Sequence, residues 1–242
     1  PDMDCWANYL VHGEYEPSGG SFFEGIKALP AAHAMTVGLD GRTTVRRYWD
    51  LAARSAELIS LSDDEAAAAV HERLSEAVRL RLRADVPVGI NLSGGLDSAA
   101  VVSTADAELP AGGVIETFTG NFGDPKYDES EFAAAVAKRS LWQRNTVPLT
   151  PADVPAETER AVWHQEGPFG GISTLMYQNV HRAARAKGLI VMLEGQGGDE
   201  LFAGYEYFRA HHFRDLLEAG GGKAVLAEAR ASGAAAFPWL RA

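Results

Sequence analysis

The segment Ser93-Gly94-Gly95-Leu96-Asp97-Ser98 places two glycines, two hydroxyls and a carboxylate side by side. Glycines let the backbone come close to an anion, and the free amides of a helix start point toward it, so the chemistry is that of a phosphate cradle. Asp97 would repel a phosphate unless a cation stood between them. Its position inside the cradle therefore implies Mg²⁺ bridging carboxylate and phosphate oxygens. The bland alternative is a glycine turn with a helix cap. The flanks favour the functional reading: an apolar run, Val86 to Leu92, enters the loop, and Ala99-Ala100-Val101-Val102 leaves it, giving strand, loop and helix.

A second segment, Glu194-Gly195-Gln196-Gly197-Gly198-Asp199-Glu200, sets three glycines between an apolar run and two adjacent carboxylates. So much glycine is poor structural economy and suits a second wall of the same site. Asp199 can supply a further oxygen to a metal held by Asp97, with an N-terminal cap as the competing role. Glu200 can cap or orient the helix that follows.

Other catalytic patterns fail. Gly20 to Gly25 has P-loop glycine spacing, but Ile26 stands where lysine is required and Lys27 comes one place late. Asn91-Leu92-Ser93-Gly94-Gly95 approaches a nucleophile elbow, with Asn91 replacing the first glycine; a hydrolase using Ser93 is a weak rival. The Gly195 loop ends in Glu200 where a dinucleotide fingerprint needs glycine. His71-Glu72 is followed by Ser75 where a zinc protease needs a second histidine. His211 and His212 read as solvated helix residues, and Trp142, Trp163, Phe169 and Phe202 as core or pocket wall.

Both glycine loops need elements to hold them. Ser62 and Glu65 form a capping box ahead of a helix from Asp63 to about Arg83, with apolar positions at Ala66, Val70, Leu74, Ala77 and Leu82. Strand and helix then alternate: Val114 to Thr119 as strand, Glu129 to Arg139 as helix, Ser173 to Lys187 as helix and Leu189 to Leu193 as strand. This order predicts an α/β fold, a parallel sheet with flanking helices, whose ligands sit beyond the carboxyl ends of the strands. Before it, Ala34 to Leu39, the Asp40-Gly41 turn and Thr43 to Arg46 predict a β-hairpin within a short β-rich stretch of residues 1–50, too small to bury its own core. Residues 51–61 read as linker and 62–242 as the main domain.

The chain has 242 residues, 33 acidic against 22 basic, and a formal charge of -11. That balance argues against a nucleic-acid surface, while a local amide cradle still admits ATP. One cysteine, Cys5, excludes an internal disulfide and reads as structural, and no apolar run reaches the roughly 20 residues of a membrane span. A cytoplasmic protein is the expectation. The absence of an initial methionine suggests a fragment.

The Ser93–Ser98 loop followed by Gly195 to Tyr205 resembles the synthetase domain of glutamine-hydrolysing asparagine synthetases. Thr117-Phe118-Thr119-Gly120 resembles the strand beside the adenine, and Glu166-Gly167-Pro168-Phe169-Gly170 the substrate-side loop. Phe22 to Ile26, Leu29-Pro30 and Tyr48-Trp49-Asp50 look like the closing strands of the family's N-terminal-nucleophile glutaminase domain, so residues 1–50 would be its tail.

The resemblance implies an ATP-pyrophosphatase fold, similar to adenine nucleotide α-hydrolases. It also implies a reaction in which aspartate attacks the α-phosphorus of ATP and ammonia from glutamine converts β-aspartyl-AMP to asparagine. By the same resemblance Ser93, Gly94, Gly95, Leu96, Asp97 and Ser98 hold the phosphates, Asp97 and Asp199 hold Mg²⁺, and Asn91, Gly120, Glu194 and Gly195 line the adenosine pocket. Gln196, Asp199 and Glu200 take the catalytic positions. Gln196 stands where many members carry a glutamate, which points to a changed substrate or a subfamily variant. The sequence also stops before the segment from which relatives supply a catalytic lysine. Partners would be small molecules, with no nucleic acid and no membrane, and a homodimer is an expectation. The rivals are a β-lactam synthetase or lasso-peptide macrolactam cyclase using the same adenylation, and, from another class, an inactive remnant or binding module.

Overall fold

The computed structural model describes residues 1–15, 19–55, 61–109, 113–124, 126, 128–136 and 142–231. They fall into two compact units, residues 1–71 with 162–169, and residues 72–161 with 170–242.

The first unit opens with helix α1 (Met3–His12), started by the Asp2 carboxylate accepting from the Cys5 amide at 3.0 Å and stopped by Gly13 at φ 74°. Trp6 and Tyr9 on this helix meet Phe22 with ring centroids 4.7 and 5.5 Å apart. Cys5 on the same helix is buried, which raises its thiol pKa, with Asp2 and Asp4 adding to the effect. The helix is a correction to the β-rich reading of residues 1–50: an N-cap aspartate and a left-handed glycine at its end bracket the segment.

The hairpin forms as expected. Strands β1 (His33–Val37) and β2 (Thr43–Arg47) pair antiparallel with His33 opposite Arg47, and Gly41 takes φ 77° in the turn. Met35, Val37 and Val45 are each more than half exposed. A short helix α2 (Leu51–Ser55) occupies the start of the expected linker, because the Asp50 carboxylate accepts from the Ala53 amide at 3.2 Å. Residues 56–60 lie outside the described residues.

Helix α3 (Asp63–Arg81) begins with the expected capping box: Ser62 N–H donates to Glu65 Oε2 at 2.9 Å, and Glu65 N–H to Ser62 Oγ at 3.4 Å. Val78 on this helix is buried, and the partly buried Leu74, with Leu82 beyond the helix, packs against the same core, while Val70 is half exposed.

In the second unit β3 (Val88–Asn91) leads through the first glycine loop into α4 (Leu96–Glu108). Then follow β4 (Ile115–Asn121), α5 (Ser130–Val136), β5 (Trp142–Pro148), α6 (Val154–Gln165, its residues 162–165 counted with the first unit), α7 (Ile172–Ala186), β6 (Val191–Leu193), α8 (Gly198–Phe202) and α9 (Phe208–Ala231), broken at Gly221. The sheet order is β5-β4-β3-β6 and every pairing is parallel. The fold is therefore α/β, with a four-stranded parallel sheet and flanking helices. Ile90, Leu92, Val102, Ile115 and Leu193 form the centre of its core.

Expectation and structure differ at several places. The sheet's end strand β5 and helix α6 were not foreseen; β5 carries Gln143, Arg144 and Asn145, too polar for the apolar-run criterion. Strand β6 starts two residues later than expected because Leu189 N–H still donates to Ala184 O, wrapping the end of α7. Residues 137–139, expected to end the helix after Glu129, lie outside the described residues. Trp142 is buried and donates through Nε1 to Asp106 at 2.9 Å, whereas Trp163 and Phe202 are exposed and stand outside the core. Among the described residues no helix is long and apolar enough to cross a membrane.

Candidate functional site

The chain passes from β3 to β4 and β5 on one side, then crosses to β6 on the other side of β3. Strand order thus reverses between β3 and β6, and at such a switch point the two outgoing loops part and leave a crevice beyond the carboxyl ends. The loops leaving these two strands are Ser93–Ser98 and Glu194–Gly198.

Within the first loop the two serines hold each other. Ser93 Oγ and Ser98 Oγ are 3.0 Å apart, Ser93 N–H donates to Ser98 Oγ at 3.2 Å, and Ser98 Oγ donates to Gly95 O at 3.1 Å. Gly94 takes φ 86° where a Cβ would lie 2.9 Å from Glu129 O, so only glycine fits this approach to α5. Gly95 caps α4 without a side chain, and the amides of Leu96, Asp97 and Ser98 occupy its first turn, where helix geometry offers no partner within the helix. Ser98 is buried, Asp97 half-buried, and Ser93 exposed.

The second loop packs onto the first. A Cβ on Gly195 would stand 2.7 Å from Ser98 N and 3.0 Å from Asp97 Cβ, and one on Gly198 would strike the Asp97 carboxylate. Gly204 is equally close to the Asp199 carboxylate. Burial, followed by the negative charges of Asp199 and Glu200, pushes the Asp97 pKa above the ordinary aspartate range. Both expected metal ligands thus lie within electrostatic reach of one another. Among the described residues no group of three or more histidine, cysteine, aspartate or glutamate side chains could hold a metal unaided. Two carboxylates under mutual repulsion nonetheless suit Mg²⁺, which takes one or two protein carboxylates and completes its shell with water and substrate phosphate. Glu200 is exposed and accepts from Tyr205 O–H at 2.9 Å; Gln196 is exposed.

Beside the first loop lies a cavity of about 480 Å³, within the range for small-molecule sites. Asn91, Ser93, Gly120, Phe132, Met176 and Tyr177 are among its lining residues. Gly120 makes room there: a Cβ would be 2.5 Å from Met176 Cγ. Glu194 adjoins it, accepting from Asn91 Nδ2 at 3.5 Å. Asn91, Gly120 and Glu194 are thereby gathered at one place, with Gly195 against Ser98. Sequence reasoning missed Glu129, Phe132, Met176 and Tyr177, which come from α5, its approach and α7; no spacing marks them, because the sheet alone brings these segments together.

Residues 69–239 match the Asparagine synthase family. The chain belongs to that family. Among curated relatives, the amidase chyE of Penicillium rubens is 33% identical over 81% of this chain and 31% of its own length. Glutamine-hydrolyzing asparagine synthetases 1 and 2 of Bacillus subtilis are 26% and 32% identical over 86% and 76% of this chain. The chain spans 32% and 26% of their lengths, about a third or less. The family resemblance drawn from the two glycine loops is therefore correct, and both loops fall inside the matched residues.

Proposed function

We propose that this family member supplies the ATP site of an amide-forming ligase that activates a carboxylate as its adenylate. The observation carrying this reading is the contact of Gly195 and Gly198 with Ser98 and Asp97, which makes one crevice of two loops beside a nucleotide-sized cavity. In the reaction a carboxylate oxygen of the substrate bonds to the α-phosphorus of ATP, and the bond to pyrophosphate breaks, pyrophosphate leaving with the electron pair. An amine nitrogen then bonds to the acyl carbon, AMP leaves with its electron pair, and the amine gives up a proton. The substrate is read as aspartate, giving β-aspartyl-AMP and then asparagine with ammonia from glutamine.

The residues of this chain position and bind. Amides of the Leu96-to-Ser98 turn and the Ser93 and Ser98 hydroxyls take the pyrophosphate oxygens, while Asn91, Gly120 and Glu194 receive the nucleoside. Asp97 and Asp199 would hold Mg²⁺, which when bound neutralises phosphate charge. Gln196 and Glu200 lie on the acyl side. Residues 1–50 are read as the tail of a glutaminase domain, in keeping with the open faces of the β1–β2 hairpin. Use of cytoplasmic ATP and homodimer formation complete the reading.

A second reading is favoured by Gln196, a neutral amide where many family members carry glutamate: the same adenylate captured by an amine already on the substrate, as in ring-closing relatives. Release of AMP and pyrophosphate with aspartate, and asparagine formation with ammonia, tests the first reading; turnover of another acid with aspartate inert moves the assignment to the second.

A further inference from the structure

Glu194 follows β6 directly, and its carboxylate is gripped at one oxygen. Oε1 receives His181 Nε2 from α7 at 2.8 Å and Asn91 Nδ2 from the end of β3 at 3.5 Å. Oε2 has no hydrogen-bond partner among the described residues. The side chain of Glu194 is 23% exposed and that of His181 51%. Tyr177 lies one turn before His181 on α7, with ring centroids 6.5 Å apart, and lines the 480 Å³ cavity together with Asn91. Burial first, then the charge of Glu194, then that of Glu129, raise the Tyr177 pKa, which places the Glu194 carboxylate electrostatically beside that cavity.

We propose that His181 is a positioning residue which fixes Glu194 so that Oε2 accepts a hydrogen bond from a donor on the nucleoside end of the nucleotide. The proposal rests on the adenylation reading. The phosphate loop begins two residues after Asn91, so a nucleotide with its phosphates on Ser93 to Ser98 brings its nucleoside to the Asn91 and Glu194 side of the crevice. An ionised carboxylate only accepts. The donors it could meet on adenosine are the ribose hydroxyls and the 6-amino group, and an analogue lacking the right donor leaves the carboxylate unpaired. His181 matters because a carboxylate on three rotatable bonds would otherwise turn to water; anchoring Oε1 leaves Oε2 pre-aimed.

The test measures equilibrium binding of ATP, 2′-deoxy-ATP, 3′-deoxy-ATP and inosine triphosphate to the full-length protein and to its Glu194→Ala, His181→Ala and His181→Gln variants. The unaltered protein is expected to bind one analogue about tenfold more weakly than ATP, as for one hydrogen bond to a charged group, and the analogue affected identifies the donor. Glu194→Ala and His181→Ala should bind ATP as weakly as that analogue, and His181→Gln, which can still donate to Oε1, should recover most of the preference. Variants that keep the preference, or that weaken ATP and every analogue equally, overturn the role of His181 and Glu194 while leaving adenylation standing. Failure of the unaltered protein to bind any nucleotide overturns the adenylation reading and this proposal with it.

Discussion

Gly198 lies so close to Asp97 that a Cβ at position 198 would strike the Asp97 carboxylate, with 2.9 Å to its Cβ. The second glycine loop is thus shaped around one acidic side chain of the first. Gly198→Ala should displace Asp97 at a modest cost in thermal stability: the half-buried carboxylate can swing toward solvent, and the contact with its Cβ requires the two loops to part slightly. A displacement of this size should lower turnover on the order of 100-fold. Pyrophosphate release and a melting curve on the same preparation check this, and full turnover would show that the contact does not position Asp97.

Asp97→Asn separates function from stability. The Asp97 carboxylate is disfavoured first by burial and then by Asp199 and Glu200. Neutralising it should leave the urea midpoint unchanged or higher while abolishing pyrophosphate release. A variant that is less stable and still active would reverse this assignment.

Gly120 and Met176 should prove coupled. Gly120→Ala forces Met176 aside and is expected to cost about 1–3 kcal/mol through overpacking. Met176→Ala alone leaves a hole and costs about 2–5 kcal/mol. Combined, the two should be less damaging than their sum, which urea unfolding of the four proteins would reveal; strict additivity would show that the residues do not share the space.

Glu157 is the buried anion that ties α6 to α7. It accepts from Arg182 at 2.9 and 3.0 Å and from Gln178 at 2.8 Å. The Arg182 hydrogen bonds outweigh burial and, with Gln178, hold its pKa below the ordinary glutamate range. A depressed folded-state pKa gives stability that is present above the unfolded pKa and is lost as pH falls through the folded one. Glu157→Gln should therefore cost about 1–3 kcal/mol near pH 7 and progressively less in acid. Urea titrations at neutral and acidic pH check the sign.

Ser93 separates a ligase from a hydrolase. Its hydroxyl contacts Ser98 Oγ and accepts from the Gly95 amide at 3.3 Å. Ser93→Ala should reduce kcat/KM about tenfold by loosening the loop, whereas a serine nucleophile would lose on the order of a millionfold.

The sequence was most informative where backbone chemistry is local. The capping box at Ser62 and Glu65, the hairpin at Asp40-Gly41 and both glycine loops depend on neighbouring residues, and all lie where their residue types demand. The strand β5 was hidden because it sits at the sheet's end and needs few apolar residues. Helix α1 went unread although Asp2 and Gly13 bracket it. The cavity walls Met176 and Tyr177 and the His181 clamp come from α7, whose approach to the ends of β3 and β4 is fixed only by tertiary packing. The convergence of Asp97 with Gly198 was legible as an inference from parallel topology; the carboxylate's snug fit was not.

Labelling the substrate carboxylate with oxygen-18 tests the central claim most directly. Supplied with ATP, an amine and its acid substrate, the protein is predicted to place the label in AMP, because the acid's oxygen bonds to the α-phosphorus and stays there when the amide forms. Label in inorganic phosphate with ADP as product, or product formed without any AMP, would contradict adenylation at the Ser93–Ser98 loop.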